Sequence, residues 1–243
     1  MSKKTDSLYA TPHKSIADFQ FDQAVVDVFP DMIERSVPGY RLLINNISVL
    51  AKQYVQQGSN CYDLGCSLGE VSYAIEPHIT QLGGQMIAVD SSQAMIAKAK
   101  MLSEQSHRNI HWQCQDIRET TLDNASIITL NFTLQFIQLA DRAHLIQRIY
   151  QSLKPNGILI LSEKVAMQHE RDNAVLTELH HQFKRQNGYS ELEVSQKRTA
   201  LENVLMTESI SAHQTRLRQA GFTQSIVWFQ CYNFVSLLAI KSS

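Results

Sequence analysis

The sequence predicts an α/β fold in which a mostly parallel sheet of seven strands is covered by helices on both faces. From residue 61 onward, short apolar runs alternate with helical patterns, which is typical of a parallel sheet. Two extended runs near the end, joined at Tyr232 and Asn233, predict a terminal antiparallel hairpin. A chain of 243 residues, 44% of them hydrophobic, is long enough for one core with an elaboration, so we expect a single domain over residues 1–243.

Residues 1–58 are predicted to form an N-terminal helical lid region. A polar arm of about fifteen residues is followed by helical patterns with prolines at positions 30 and 38. Proline disfavours the helical conformation in the preceding residue, so we expect breaks at Pro30 and at Pro38-Gly39. Tyr40 would then lie at a bend between two helices.

Residues 59–164 are predicted to form the core of strands and helices. Within it, "DRAHLIQRIYQSLKPNG" has apolar residues at helical spacing, with Asp141 as the expected N-cap. Pro155 and Gly157 are expected to end that element. Residues 165–205 are richer in charge and helix formers and are too long for a plain connection, so they predict a helical insertion. Residues 206–243 are predicted to contain a helix ending at Gly221 and the hairpin.

Composition excludes several classes of function. The 22 basic and 23 acidic residues give a net charge of −1 without a basic run, so no direct nucleic-acid binding is expected. The four cysteines lack the paired C-x-x-C spacing of a zinc site, and the apolar runs are too short to span a bilayer. We expect no metal and no membrane segment, and a soluble protein in the reducing cytoplasm. Adjacent His180 and His181 project about 100° apart on a helix, which disfavours joint metal ligation.

The stretch "YDLGCSLGE" is similar to a dinucleotide-binding turn but lacks two of its glycines. Counted from Gly65 in the G-x-G-x-x-G pattern, the second glycine is Ser67 and the third position is Glu70, an anion where a phosphate would lie. A nicotinamide dinucleotide is therefore disfavoured. A ligand that lacks phosphates tolerates Glu70.

The same stretch resembles the D-x-G-x-G-x-G motif of S-adenosylmethionine-dependent methyltransferases, with Ser67 at the middle glycine. This resemblance implies a Rossmann-like methyltransferase fold in which Gly65 lets the methionine portion approach the backbone and Asp63 faces its ammonium group. Asp90 closes the run "QMIAVD", where a carboxylate can accept hydrogen bonds from both ribose hydroxyls. Asp116 and Ile117 follow the next strand and are placed to bracket adenine. Any single acid at a strand end is as often a cap or a solvated turn residue.

Two further features concern the chemistry. Asn131 ends the fourth strand and would face the sulfonium, which its amide can orient but not deprotonate. The insertion concentrates Lys184, Arg185, Lys197 and Arg198 around Tyr189. Such a run is usually a solvated helix face, but an arginine that turns inward can bind a carboxylate through two parallel hydrogen bonds.

Six stretches together resemble the carboxy-S-adenosylmethionine synthase family, bacterial enzymes of tRNA wobble-uridine modification. They are "VFPDMIERSVPGY", "YDLGCSLG", "NFTLQF", "NGYSELEVSQKR", "LENVL" and "WFQCYNF". The resemblance implies that prephenate carboxylates the methyl group of S-adenosylmethionine, releasing phenylpyruvate and water. It also implies a homodimer, whose carboxy-S-adenosylmethionine product a separate tRNA carboxymethyltransferase consumes.

The resemblance assigns a role to ten positions. The cofactor contacts fall on Tyr40, Gly65, Cys66, Ser67, Asp90, Ser91, Asp116, Ile117 and Asn131, and Arg198 is the carboxylate-binding residue. The departing hydroxide of prephenate would take the methyl proton, and the ylide would trap carbon dioxide, so the enzyme needs no base of its own.

Two alternatives stay open at this stage: an ordinary small-molecule methyltransferase, and a non-catalytic module that binds an adenosyl ligand. The identity of the carboxyl donor rests on the resemblance alone. The sequence also leaves open whether Arg198 serves its own site or that of a neighbouring subunit.

Overall fold

The computed structural model describes residues 4–13 and 15–243. Its helices are α1 (Gln23–Ser36), α2 (Tyr40–Tyr54), α3 (Glu70–Gln81), α4 (Gln93–Gln105), α5 (Leu139–Ser152), α6 (Glu170–Gln186), α7 (Glu191–Glu202) and α8 (Ile210–Ala220). Its strands are β1 (Asn60–Leu64), β2 (Gln85–Asp90), β3 (Ile110–Cys114), β4 (Ala125–Asn131), β5 (Leu153–Lys164), β6 (Gln224–Cys231) and β7 (Phe234–Ile240).

The strands form one sheet of seven in the order β3-β2-β1-β4-β5-β7-β6. The first five strands pair in parallel, whereas β7 runs antiparallel to both β5 and β6. This confirms the predicted fold class, including the terminal hairpin. Strand order reverses between β1 and β4, so the crevice beyond their carboxyl ends is where a ligand of such a sheet binds.

Alternate residues of the central strands supply two apolar layers, one on each face of the sheet. On β1, Cys61 packs into the layer that includes α2 and α3, while Tyr62 and Leu64 pack into the layer that includes α5 and α8. This alternation follows from the two-residue period of a strand. Among the described residues, no helix is both long and apolar enough to cross a membrane.

Of the two helix breaks predicted from proline, one is wrong and the other is confirmed. Pro30 lies inside α1 and does not break it, because the helix buries an apolar face that includes Val26 and Met32 against Leu68. The predicted break at Pro38-Gly39 is confirmed, with Gly39 in the left-handed region at φ 75°. Tertiary packing therefore outweighs the local cost of Pro30.

At α5 the N-cap prediction is wrong, whereas the helix does end at Ser152, shortly before Pro155 and Gly157. Asp141 lies in the first turn of α5, whose N-cap is Gln138, and the Asp141 carboxylate pairs with Arg118 at 2.6 Å. Pro155 and Gly157 lie inside β5, in the segment where the pairing of β4 with β5 shifts register. A proline near the start of a strand is tolerated where no ladder hydrogen bond needs its N–H.

The helical insertion and the N-terminal arm pack against each other. Gln196 of α7 donates its side-chain amide to the carbonyls of Tyr9 and Thr11, both at 2.9 Å. The Tyr189 hydroxyl donates to the buried Asp6 carboxylate at 2.5 Å, and the backbone N–H of Phe19 donates to Ala200 at 2.9 Å. These contacts hold the arm along the helix that contains Arg198.

A fully buried arginine, Arg142 of α5, joins two segments next to the sheet. Its guanidinium donates to the carbonyls of Ile137 at 2.9 Å, Met206 at 2.8 Å and Gln135 at 3.3 Å. It also pairs with Glu208 at 2.5 Å. The segment after β4 and the segment after α7 are thus anchored to the same side chain.

The buried carboxyl of Glu163 makes the free energy of unfolding depend on pH. Its Oε1 accepts the backbone N–H of Leu134 at 3.0 Å, and burial raises the pKa of Glu163 to about 8 although Arg142 opposes the shift. A carboxyl with a raised pKa binds more protons in the folded state. Its stabilising contribution is therefore complete below the ordinary pKa of about 4.3 and is lost as pH rises through about 8.

We predict that Glu163→Gln, which keeps the acceptor but cannot ionise, gains stability relative to the parent as pH rises. The difference in unfolding free energy should grow by about 1–3 kcal/mol between about pH 5 and pH 9. Urea unfolding across that range measures it, with exposed Glu170→Gln as the control. A difference for Glu163→Gln that stays constant with pH would contradict the assignment.

Candidate active site

A cavity of about 650 Å³ lies at the carboxyl ends of the central strands, between them and the helical insertion. All the residues predicted from the sequence line this one cavity: Tyr40, Asp63, Gly65, Cys66, Ser67, Asp90, Ser91, Asp116, Ile117, Asn131 and Arg198. The arm contributes Phe19 and Phe21 to the same wall. Arg198 therefore lines the cavity of its own chain.

The turn after β1 is shaped by backbone conformations that favour glycine. Gly65 has φ 80°, and a Cβ there would lie 2.3 Å from Cγ2 of Thr133, so no side chain fits without displacing that residue. Ser67 also lies in the left-handed region at φ 48°, although it replaces the middle glycine of the motif. The Gly65 position therefore requires a residue without a side chain, and Gly65 lines the cavity.

Asp90, the last residue of β2, links the turn to the start of α4. One carboxylate oxygen accepts the backbone N–H of Ser67 at 2.9 Å, and the other accepts that of Ser92 at 2.8 Å. Burial raises the pKa of Asp90, and these two hydrogen bonds oppose the rise. Each oxygen has a further lone pair, so this carboxylate can still accept from a vicinal diol.

Asp63 has a different environment from the one expected for a ligand contact. It is 1% exposed, and its carboxylate accepts hydrogen bonds from Ser72 Oγ at 2.7 Å, the Ser72 backbone at 3.1 Å and Thr129 Oγ1 at 2.9 Å. Burial raises the pKa of Asp63 to about 6. Asp63 therefore joins β1 to α3 and β4 at the floor of the cavity.

Asp116 and Ile117 follow the end of β3 by two and three residues and line the cavity. The Asp116 carboxylate pairs with Arg118 at 2.6 Å, which lowers the pKa of Asp116. Ile117 is buried and presents an apolar surface to the cavity. This end suits a flat heteroaromatic group that packs against Ile117.

Asn131 and Tyr40 contribute two further polar side chains to the lining of the cavity. The buried Oδ1 of Asn131 has no hydrogen-bond partner among the described residues, so it is an acceptor available to a ligand. Tyr40 begins α2 and is buried, and this burial raises the pKa of its hydroxyl. Tyr40 is therefore a neutral donor or acceptor at neutral pH.

The opposite wall is cationic and comes from β5, α6 and α7. Lys164, Lys184, Lys197 and Arg198 all line the cavity there. Arg198 is exposed and forms no ion pair within the described ranges, so its guanidinium is available to an anion that enters. Lys197 is already paired, with Asp6 at 3.5 Å and Ser36 Oγ at 3.0 Å.

Sequence reasoning missed several residues of this wall. Lys164 is the last residue of β5 and directly follows buried Glu163. Its position at the end of a strand could have identified it as a residue of the cavity. Phe19 and Phe21 lie in an arm without a recognisable pattern, and only their packing places them at the cavity. Gln135 was also missed; its side chain accepts the backbone N–H of Lys164 at 3.0 Å.

The two adjacent histidines of α6 have separate surroundings. The His180 ring nitrogen Nε2 hydrogen-bonds the carbonyl of Ser36 at 2.8 Å, and its ring packs edge-on against Phe234. Burial lowers the pKa of His180 to about 2, so the ring is neutral and donates that bond. In the part of the chain described, no group of three or more metal-ligating side chains comes together.

Comparison with known proteins shows which family this chain resembles. A family model described as a methyltransferase domain matches residues 62–157. The carboxy-S-adenosyl-L-methionine synthase of Trichlorobacter lovleyi is 54% identical over 244 residues, covering 99% of this chain and 100% of the relative. The chain belongs to the carboxy-S-adenosyl-L-methionine synthase family. The synthase of Pasteurella multocida is 52% identical over 238 residues, and the match covers 97% of this chain and 99% of that relative.

Solved structures place the synthase family within a wider fold. Human N-acetylserotonin methyltransferase in complex with SAM superposes with a TM-score of 0.61 at 17% identity. The match covers 99% of this chain and 64% of the human protein. Because the identity is so low, the likeness shows the methyltransferase fold alone, and the chemistry must come from the cavity and from the synthase family.

Proposed function

We propose that this chain converts S-adenosylmethionine and prephenate into carboxy-S-adenosylmethionine, phenylpyruvate and water. One observation supports it above the others: the same cavity contains a methyltransferase-type cofactor wall and, facing it, an arginine without a carboxylate partner in the described chain. A cofactor wall alone suits any methyltransferase. The cationic wall suits an enzyme whose second substrate and product are both carboxylates.

The cavity fits the adenosyl cofactor in three respects. Gly65 lines the cavity, and Thr133 leaves no room for a side chain at this position, so the methionine portion would meet backbone atoms there. Asp90 retains acceptor capacity for the two ribose hydroxyls. The orphaned Oδ1 of Asn131 is an acceptor next to the place where the methionine end and its sulfonium would lie.

Asp63 supports this site mainly through structure. Its oxygens already accept donors from Ser72 and Thr129, so we assign it to fixing the first turn and to placing negative charge below the ammonium group. Asp116 is held by Arg118, which leaves it a lone pair for the adenine amino group while Ile117 packs on the ring. Tyr40, Cys66, Ser67 and Ser91 complete the cofactor wall.

The balance of the reaction explains why no catalytic base is needed. The S-methyl group loses one proton and gains one carboxylate, while prephenate loses that carboxylate and a hydroxide as its ring becomes aromatic. The proton and the hydroxide leave together as water. The role of the chain is to exclude bulk water, to hold the two reactants together and to stabilise the anion beside the methyl group.

Arg198 is the group that we assign to the transferred carboxylate. Its planar guanidinium offers two parallel donors, a geometry that lysine lacks. Helix α7 is fixed from behind by the N-terminal arm, through Gln196 and Ala200, so Arg198 projects from an anchored helix. The same arm contributes Phe19 and Phe21 to the wall of the cavity.

The test is to incubate the purified protein with S-adenosylmethionine, with and without prephenate, and to analyse the nucleosides by mass spectrometry. We expect the cofactor to gain one carboxylate only when prephenate is present, with phenylpyruvate formed in equal amount. Formation of S-adenosylhomocysteine instead would indicate an ordinary methyltransferase. Bound cofactor without any turnover would indicate a non-catalytic binding module.

The wider context is also proposed from the family. We assign a cytoplasmic homodimer whose product a separate tRNA carboxymethyltransferase consumes. Leu42 and Val49 of α2 are 59% and 64% exposed and lie seven residues apart on one helix face, which supports a subunit interface there. The balanced net charge gives no support for direct tRNA binding by this chain.

A further inference from the structure

Two lysines in the cationic wall lack a counter-ion. Lys184, in the last turn of α6, is 6% exposed, and its Nζ forms no hydrogen bond or ion pair with any residue in the described ranges. Lys164, at the end of β5, is half-buried and likewise unpaired there. Both line the cavity. Burial, together with the charges of Lys197 and Lys164, lowers the pKa of Lys184 to about 7.

Neighbouring acids do not neutralise these lysines. Glu163 precedes Lys164, but successive side chains of a strand point to opposite faces, and its carboxyl accepts from Leu134. Asp6, a buried acid of the N-terminal arm that packs on the insertion, is already bound by Tyr189 and Lys197. An unpaired charge in such surroundings is costly, and sites that hold such charges usually do so for a ligand.

Arg198 is a separate cationic group in the same cavity. Arg198 and Lys197 are consecutive on α7 and therefore project about 100° apart. Lys197 donates to Asp6 and Ser36 and is buried, as is Lys184, on whose pKa its charge acts, whereas Arg198 lies on an exposed face of α7. The wall therefore presents two cationic positions rather than one.

We propose that Lys184 and Lys164 form a second anion subsite, which binds the pyruvyl carboxylate of the donor while Arg198 binds the carboxylate that is transferred. The inference rests on the proposed function and adds the orientation of the second substrate. Prephenate has two carboxylates, and only one of them moves. The one that moves must lie beside the S-methyl group, so the other needs its own cationic partner.

Phenylpyruvate, a product of the reaction, can distinguish the two carboxylate subsites. Phenylpyruvate keeps the pyruvyl carboxylate and lacks the transferred one. Its binding should therefore depend on Lys184 and Lys164 but not on Arg198. Replacing a lysine with a purely structural role would instead lower stability, and would weaken the binding of prephenate and phenylpyruvate to the same extent.

The experiment measures phenylpyruvate binding by calorimetry to protein saturated with S-adenosylmethionine. We expect Lys184→Met and Lys164→Met to weaken phenylpyruvate binding about tenfold to a hundredfold, as befits a lost charged hydrogen bond. Arg198→Ala and the exposed control Lys52→Met should change it less than about twofold. Lys184→Met should also melt no lower than the parent, because it removes a buried unpaired charge.

Several results would overturn the subsite. The first is that phenylpyruvate does not bind the parent protein. The second is that it binds Lys184→Met as tightly as the parent. The third is that Arg198→Ala weakens its binding as much as Lys184→Met does. Lys184→Arg, which keeps the charge, should restore most of the affinity, and its failure to do so while folded would count against the assignment. Because this assay needs no turnover, it separates failure of the subsite from failure of the proposed reaction, which the mass spectrometric assay tests.

Discussion

Replacing Arg198 with alanine is expected to abolish carboxylated product while leaving S-adenosylmethionine binding largely intact. A charged hydrogen bond is worth about 1.5–3 kcal/mol away from bulk water, and a bidentate pair makes two such bonds. The expected loss in kcat/KM for prephenate is therefore at least about a hundredfold. The adenosyl contacts that we propose lie at the edge of the sheet and do not involve α7, so cofactor affinity should fall less than about twofold.

Three controls separate the role of Arg198 from general effects of charge. Arg185→Ala removes a neighbouring cation of the insertion that already pairs with Glu178 at 2.6 Å, and it should keep nearly full activity. Arg198→Lys keeps the charge but loses the planar fork, so we expect intermediate turnover. Cofactor affinity, measured by calorimetry on each variant, controls for folding. Undiminished product formation by Arg198→Ala would remove the proposed mechanism.

The half of the cavity formed by the strand ends was predictable because its geometry is local. A strand, a tight turn and a helix start fix where Gly65 and Ser67 lie, and successive parallel strands end at one edge, which brings Asp90 and Asn131 to the same cavity. Motif spacing encodes each of these positions. The family resemblance added Arg198, whose position depends on a helix far along the chain.

The rest of the site was not predictable, because it depends on contacts between distant segments. Asp6 meets Tyr189 across 183 residues, and no periodic pattern marks the arm that contains Asp6. The same limit applies to Asp63: the motif predicts a ligand contact for it, but does not indicate that its oxygens also accept hydrogen bonds from Ser72 and Thr129. Burial decides which lysines in the charged run are solvated, and the sequence shows Lys184 and Arg185 as equivalent.

The second large effect is expected from Arg142→Met, which should lower the free energy of unfolding by about 3–5 kcal/mol. The guanidinium is fully buried, and its removal leaves Glu208 and the carbonyls of Gln135, Ile137 and Met206 with fewer partners. Methionine fills most of the volume, so the loss measures hydrogen bonding more than a cavity. Urea unfolding at neutral pH provides the measurement.

Arg216→Met is the matched control, because Arg216 pairs with the other oxygen of the same Glu208 carboxylate at 2.5 Å. Arg216 donates to none of the backbone carbonyls that Arg142 binds. Arg216→Met should therefore lower the free energy of unfolding by less than about half as much as Arg142→Met. Gln135 lines the cavity and is tied to Arg142, so Arg142→Met should also weaken prephenate use in the protein that remains folded. Equal destabilisation by the two variants would mean that the shared ion pair, rather than the three carbonyl contacts, gives Arg142 its role.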